Sequence, residues 1–398
     1  MAGPGFPDMV DTVYEMSTGR PRWGALALVC GTYFAATVGE QLLSPLFPTA
    51  RDDLGLSEGQ GGVAFGVLAL SIAVFNMVSG VALRRWSAIT VIRCGTVVTG
   101  CGAALAATAD GFGGIVVAQV LLGAGAGLFF PAGLQAVAIF AGPNRRGFAM
   151  GIYGVAFSIG LAVAALFGVI GASAGWRVPF WIAAGLALAA LAVTATMSTE
   201  QPVRGAPWSL PWRTVLGLPT IVGTVGAILQ YGVLAFFATY AVDEWGLSEA
   251  RAAALLAIGR IVSIGAKLVG GASADRIGPR ASVLRTGVLL SVTGVLWVVL
   301  PAGIVTYCIA ALFAGTVSSI FPVANVLAVE RFGGNGLALG AYRSAQIGIG
   351  ALAGVIIGNS PIGLRWTVLI CVLAPLSLVW FCRPVRTADA AHTPIAAP

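Results

Sequence analysis

Long apolar runs, separated by short polar or Gly/Pro-rich breaks, fill most of the chain. A helix needs roughly 20 apolar residues to cross the hydrocarbon core of a bilayer. The runs reach this length and so predict twelve membrane-spanning helices in an all-α membrane protein. The predicted spans are residues 23–47, 61–83, 88–109, 113–140, 147–170, 176–197, 214–242, 250–274, 281–300, 302–329, 336–358 and 364–382.

An internal repeat divides these spans into two sets of six. The stretch Asp52–Glu58 returns 191 positions later as Asp243–Glu249, and Phe130-Pro131 returns as Phe321-Pro322. Many secondary transporters are built from two such related halves. The predicted organisation is a cytoplasmic tail (1–22), an N-terminal six-helix bundle (23–197), a proline-containing cytoplasmic linker (198–213), a C-terminal six-helix bundle (214–382) and a cytoplasmic tail (383–398).

The repeated stretch also contains helix-start signals. Ser57 followed by Gln60 has the spacing of a capping box, and Ser248 can cap the helix that follows it. We therefore expect the second and eighth spans to begin at these serines.

Composition excludes a soluble protein. Hydrophobic residues make up 58% of the chain and charged residues 9%, and the mean hydropathy is +0.93. Such a chain cannot cover its surface with polar groups. The six cysteines lie in or beside apolar runs without metal-ligand spacing, so neither a metal site nor a disulfide framework is predicted. A phosphate-binding loop of the GxxxxGK[ST] type is absent from the sequence.

The basic residues predict the orientation in the membrane. If the amino terminus is cytoplasmic, fifteen of the 22 basic residues fall in cytoplasmic segments and four fall outside. This positive-inside bias predicts a bacterial inner-membrane protein with both termini in the cytoplasm. It also explains the net charge of +7 by orientation and contact with anionic lipids, without a nucleic-acid partner.

A loop after the eighth span resembles the signature of a known family. Gly271-Ala-Ser-Ala-Asp275-Arg276-Ile-Gly278-Pro-Arg280 resembles the gating loop of the major facilitator superfamily. The resemblance implies two six-helix bundles around a central cavity that opens alternately to each side. It also implies that Asp275 lies near the start of the fifth helix of the opposite bundle, near Gly147, where the helix dipole favours an anion.

Three departures from the family pattern change the expectation. In the first copy of the loop, Arg84 stands where the family has an aspartate. The proline-containing glycine motif of drug antiporters is missing from residues 151–171, and Gln119 occupies the basic position of proton-coupled exporters. The last two differences argue against multidrug export.

Four ionisable residues lie within the predicted spans, namely Glu40, Arg260, Lys267 and Arg343. Each costs a few kcal/mol to place in a membrane, so each is a candidate for function. All four break the repeat, because their counterparts in the other half are uncharged: Tyr231, Ala69, Asn76 and Gly154.

Arg260, Lys267 and Arg343 are predicted to bind substrate. Arg260 and Lys267 are seven residues apart, which puts them about 10 Å apart on one side of a helix. This cationic strip would attract a carboxylate or another anion. Two alternatives for Lys267 are snorkelling to the cytoplasmic face and pairing with Asp275. Arg343 could instead reach the membrane interface.

Glu40 is predicted to couple transport to protons, because a carboxyl group removed from water can take up and release a proton. It could instead form a structural ion pair or face the outer mouth. Neutral polar residues at suitable depth are also predicted to contact substrate, although each could equally bridge helices. They are Tyr33, Gln119, Gln230, Tyr231 and Asn325, with Asn76 and Gln346 at similar depth.

The predicted function is secondary active transport of a small organic anion, coupled to protons, by a chain that can act as a monomer. The proton gradient is the expected driving force, and no bound cofactor is expected. One alternative is proton-driven efflux of amphipathic compounds, in which Glu40 would meet a cation. A non-transporting membrane sensor or enzyme would need a nucleophile, a metal cluster or an appended domain, and the sequence offers none of these.

Overall fold

Helices form all the regular structure in the described part of the chain. A computed structural model describes residues 22–83, 85–141, 146–197, 215–332 and 336–382. Arg84, the predicted linker and, apart from Arg22, the two predicted tails lie outside these residues.

The first half contains seven helices. They are α1 (Trp23–Gln41), α2 (Leu43–Leu54), α3 (Glu58–Ala82), α4 (Ala88–Ala107), α5 (Phe112–Ala141), α6 (Arg146–Ala174) and α7 (Arg177–Ala195). The second half contains α8 (Leu218–Ala227), a π-helix (Ile228–Val233), α9 (Phe237–Asp243), α10 (Glu249–Ile277), α11 (Pro279–Val299), α12 (Ile304–Val317), α13 (Ile320–Phe332), α14 (Gly336–Gly358), α15 (Leu364–Leu373), a short 3₁₀ turn (Ala374–Leu376) and α16 (Ser377–Phe381).

These helices give the twelve predicted spans in the predicted order. Among the described residues, ten helical segments are long and apolar enough to cross a membrane, and the bent pair formed by α8 with its π-helix and α9 makes eleven. The 23-residue α14 occupies the remaining predicted span. The fold is therefore an all-α membrane protein with two pseudo-symmetric six-helix bundles.

Several spans that we predicted as continuous helices are broken or bent. The first span extends to Leu54 but is broken at Leu42. The break occurs because Pro45 has no N–H to donate to the carbonyl of Gln41. The seventh span passes through the π-helix and bends by 44° before α9. Leu42 and Val233, the last residue of the π-helix, are equivalent positions of the repeat. Both halves therefore interrupt their first span at the same place.

Apolar side chains cover the outside of the helices. Leu188, Leu268, Val269 and Ile304 are each more than 60% exposed. An apolar outer surface of this kind is stable against lipid and unstable in water. The hydropathy pattern and the observed exposure thus agree on a membrane environment.

The predicted serine caps are confirmed. The N–H of Gln60 donates to Ser57 Oγ at 3.2 Å, and the N–H of Ser57 donates to Gln60 Oε1 at 2.8 Å. These reciprocal bonds complete the capping box at the start of α3. At the start of α10, the N–H of Arg251 donates to Ser248 Oγ at 3.4 Å.

The two halves pack through α3 against α14 and through α6 against α10. The helices α3 and α14 approach each other through glycines: a Cβ added at Gly62 would lie 3.1 Å from the Cα of Gly358. The loops at this end of the molecule are the ones predicted to face away from the cytoplasm. We call it the outer end.

Polar contacts also join the halves toward the outer end. Arg51 donates two hydrogen bonds to Asp243, at 2.7 and 3.1 Å, and Thr49 donates to Glu249 at 2.6 Å. Ser44 Oγ lies 3.0 Å from the carbonyl oxygen of Leu234 and 2.9 Å from that of Ala235. In this structure the halves are therefore held together at the outer end.

Candidate substrate site between the two halves

A pocket lies between the halves where the first and seventh spans are interrupted. Its walls come from α1 and α2, from α3, from the π-helix and from α10. Glu40, Gln230, Tyr231 and Arg260 all line it. Four of the predicted site residues, two of them charged, thus meet in one place.

Arg260 enters the pocket from α10 and is only 3% exposed. Its Nη1 donates to Gln230 Oε1 at 3.0 Å. The other end of that amide, Gln230 Nε2, is buried and has no hydrogen-bond partner in the described part of the chain. The π-helix offsets the side chains relative to an α-helix and carries both Gln230 and Tyr231 into the pocket.

Glu40 lies at the end of α1 and is 6% exposed. Its Oε1 accepts a hydrogen bond from Gln41 Nε2 at 2.7 Å. Tyr231, the repeat counterpart of Glu40, lines the same pocket. The repeat therefore brings an acid and a phenol from equivalent positions to one site.

Lys267 lies two turns beyond Arg260 on α10 and crosses to the first half. Its Nζ donates to Ser158 Oγ at 2.8 Å and lies 4.6 Å from the centroid of the Phe157 ring. The side chain is half-buried and reaches α6. The sequence also allows a pair between Lys267 and Asp275. The side chain of Asp275 lies outside the described part, so this pair stays a prediction.

Arg343 on α14 also crosses to the first half. Its guanidinium carbon lies 4.4 Å from the centroid of the Phe130 ring on α5. Arg343 Nε is buried, and no described residue is its hydrogen-bond partner. The side chain therefore points into the contact between the halves.

The four charged residues lie in one region between the two halves. Arg260 lines the pocket with Glu40, while Lys267 and Arg343 lie over the Phe157 and Phe130 rings, which pack on Tyr33. Among the described residues, none of the four forms a salt bridge. This region of the interior thus holds three cationic groups and one carboxyl group.

Tyr33 belongs to an aromatic cluster beside the pocket. Its ring stacks on Tyr153 at 4.2 Å and on Phe129 at 5.2 Å between centroids. Phe157 lies 5.5 Å away, and Phe130 packs at an angle at 6.4 Å. Since the Tyr33 side chain is buried among these rings, it supports the neighbouring aromatic residues by packing.

The remaining predicted amides lie apart from the lining of the pocket. Gln119 and Gln346 are fully buried, and among the residues that the structure describes neither polar atom of either side chain has a partner. The same holds for the buried side chain of Asn76. Asn325 is exposed, and its Oδ1 accepts a hydrogen bond from the Tyr342 hydroxyl at 3.4 Å.

Four residues of the site region were missed by the sequence analysis. Gln41 and Ser44 line the pocket, and both are polar residues in an apolar run, which is a usable signal. Phe130 and Phe157 lie under the side-chain cations of Arg343 and Lys267. The sequence does not mark these two rings as site residues, because most aromatic residues in membrane spans pack against lipid or other helices.

The predicted gating loop is only partly visible. Gly278 has a φ of +81° and forms the turn between α10 and α11, a conformation that favours glycine. Arg276 and Arg280 are exposed, and Gly271 is half-buried. The side chain of Asp275 and that of Gly147 lie outside the described part, so their contact stays a prediction.

The described residues contain no group of three or more His, Cys, Asp or Glu side chains that could hold a metal ion.

Two pseudo-symmetric six-helix bundles around a central charged pocket define a class of proteins, the secondary transporters of small solutes. The family model described as the Major Facilitator Superfamily matches residues 29–355 and 220–395. The chain belongs to this superfamily.

Relatives and solved structures agree with this family. The chain is 27% identical to the hexuronate transporter of Bacillus subtilis (strain 168) over 300 residues, 71% of each chain. It is 24% identical to a probable sulfoacetate transporter of Cupriavidus necator, over 67% of this chain and 68% of the relative. A bacterial homologue of the human lysosomal transporter Spinster, solved inward-facing and occupied, matches with a TM-score of 0.75 and 16% identity, over 92% of this chain and 97% of that one.

Proposed function

We propose that this protein carries a small organic anion across the cytoplasmic membrane together with protons, by alternating access. One observation carries the proposal. Arg260 lines one pocket with Glu40, and Lys267 and Arg343 contact the aromatic cluster around Tyr33, while none of these four charged groups forms a salt bridge among the described residues.

An excess of buried cations is unstable unless something balances it. Burying an unpaired charge costs several kcal/mol, so a site with three cations and one acid favours an anionic ligand. The guanidinium of Arg260 can hold a carboxylate or sulfonate through parallel hydrogen bonds, and the unpartnered Gln230 Nε2 adds a further donor. The named substrates of two relatives, hexuronate and sulfoacetate, are both organic anions.

Glu40 supplies the coupling. When it takes up a proton, the positive charge of the site rises by one, so an anion binds more tightly. By linkage, the bound anion favours the protonated form of Glu40 by the same factor. Proton and anion are therefore expected to bind and leave together, which is symport.

The arrangement of the halves supports alternating access. The outer end is held by the contacts of α3 with α14 and by the Arg51–Asp243 pair. A substrate that enters from outside must part these contacts. The similar Spinster homologue was solved in an inward-facing conformation, in which such a fold is closed at this end.

The test is transport into proteoliposomes with an imposed proton gradient, using D-glucuronate and sulfoacetate as probes. We expect the unmodified protein to accumulate the probe against its gradient when protons flow inward. Glu40→Gln cannot carry the proton and should only equilibrate the probe. Arg260→Ala should weaken probe binding roughly ten- to hundred-fold, the effect of losing charged hydrogen bonds.

Arg251→Ala is the matched control for Arg260→Ala, because Arg251 is an exposed residue of the same helix, and we expect normal transport. Gradient-driven accumulation by Glu40→Gln would show that another group carries the proton. Transport of lipophilic cations alone, unaffected by Arg260→Ala, would show that the anionic substrate is wrong and would favour efflux of amphipathic compounds.

A further inference from the structure

Two cations of the second half rest on two aromatic rings of the first half. The Lys267 ammonium lies 4.6 Å from the Phe157 centroid, and the Arg343 guanidinium lies 4.4 Å from the Phe130 centroid. Lys267 comes from α10 and Arg343 from α14, the two helices through which the second half packs against the first. Both contacts therefore bridge the interface beside the pocket.

The rings are held in place by their own half. Phe157 stacks on Tyr33 at 5.5 Å, and Phe130 packs edge-on against the same ring at 6.4 Å. Tyr33 is itself held between Tyr153 and Phe129. One aromatic cluster thus presents both rings to the cations.

Within the described residues, neither cation forms a salt bridge with a carboxylate. The hydrogen bond from Lys267 goes to the neutral hydroxyl of Ser158, and the buried Arg343 Nε has no partner among the same residues. The face of an aromatic ring attracts a cation through its quadrupole, but less strongly than a full negative charge does. An anion that enters the site can therefore displace the rings.

We infer that Phe130 and Phe157 are positioning residues that hold Arg343 and Lys267 while the site is empty, and that an organic anion takes over both cations when it binds. The identity of the ligand rests on the proposed function; the role of the rings rests on the geometry alone. When the anion takes over the cations, both ring contacts between the halves are lost. Binding would thus loosen the halves beside the pocket.

Lys267 is the only lysine of the chain, which makes the inference testable without a known substrate. An amine-reactive ester at fixed pH can modify Lys267 and the terminal amine, and mass spectrometry of the peptide that contains Lys267 separates the two. The rate is measured on the full-length protein with Phe157 replaced by mono-, di- and trifluorinated phenylalanine. Fluorination weakens the ring's attraction for a cation with little change in volume.

We expect labelling of Lys267 to accelerate stepwise with fluorination at position 157, because the ammonium is held less firmly. The same series at Phe129 is the control, since this buried ring stacks on Tyr33 and no cation of the described residues lies over it. An unchanged rate in the Phe157 series, or an equal response at Phe129, would overturn the holding role of the ring, whatever the substrate is.

The second arm adds D-glucuronate or sulfoacetate. Both should slow the labelling of Lys267 in the unmodified protein. The affinity of the protein for either probe should rise roughly two- to five-fold when fluorination at position 130 or 157 weakens the cation–ring contact, because that contact then competes less with the anion for the cation. A fall in affinity would show that the rings support the bound anion and are not displaced by it. If neither probe protects Lys267, the anionic substrate and the displacement step fail together, while the fluorination series still decides the holding role.

Discussion

Gly62 shows how closely the two halves approach each other. A Cβ at this position would collide with the backbone carbonyl of Gly354 and lie 3.1 Å from the Cα of Gly358. Both neighbours are backbone atoms, which cannot rotate away as the end of a side chain can. Small residues in membrane helices allow this backbone approach, and the stabilising contacts are then van der Waals contacts along both chains.

We therefore predict that Gly62→Ala destabilises the protein by roughly 1–3 kcal/mol, the usual cost of overpacking. Thermal unfolding in detergent would measure the loss. Gly80→Ala is the matched control, because Gly80 lies on the same helix and nothing lies within 4 Å of an added Cβ. Equal melting temperatures for the two variants would contradict the close approach of α3 and α14.

Among the elements, the interrupted first and seventh spans build the pocket. A helix that is broken inside the membrane leaves backbone carbonyls without partners, and these must find hydrogen bonds within the protein. Ser44, just after the break in the first span, reaches the carbonyls of Leu234 and Ala235 just after the π-helix of the seventh. Ser44 and Ala235 are themselves equivalent positions of the repeat, so the two breaks support each other.

Ser44→Ala should lower the free energy of unfolding by about 1 kcal/mol, because the hydroxyl has one proton to donate and the two carbonyls share it. Chemical unfolding in mixed micelles would measure the difference. Ser173→Ala is the comparison, since this exposed serine bonds only the carbonyl of Ile170 within its own helix. A larger loss from Ser173→Ala would show that the contact between the breaks contributes little.

The elements also show where sequence reasoning succeeds and where it stops. The spans could be predicted because hydropathy is a local property, and the four membrane charges stand out for the same reason. The break at Leu42 had a local signal in Pro45, whereas residues 220–242, which contain the π-helix, include no proline. The partner of Lys267 could not be predicted, because Asp275 is near in sequence while Ser158 is near only after the halves pack.

At the scale of the whole molecule, Arg51 joins equivalent positions of the two halves. It donates to Asp52, its neighbour in the chain, at 3.1 Å and to Asp243, the repeat counterpart of Asp52, at 2.7 and 3.1 Å. The side chains of Arg51 and Asp243 are 18% and 27% exposed. This partial burial limits screening by salt, so the pair contributes more than a fully exposed one.

A double-mutant cycle of Arg51→Ala and Asp243→Ala should give a coupling energy of about 1 kcal/mol that decreases at high ionic strength. Thermal melting of the two single variants and the double variant, at low and high salt, provides the measurement. Asp52→Ala in place of Asp243→Ala is the control, because it removes a contact within one half. Strictly additive effects of Arg51→Ala and Asp243→Ala would mean that the pair does not hold the halves together.

The attraction between α3 and α14 at their glycine contact changes with separation differently from the attraction between Arg51 and Asp243. Dispersion attraction falls so steeply that a gap of about 0.5–1 Å already removes a quarter to a half of it. A slightly parted outer end would therefore lose up to half of this attraction without gaining room for water or solute. Half-open arrangements are thus disfavoured, and the molecule should switch abruptly between a sealed and a fully parted outer end.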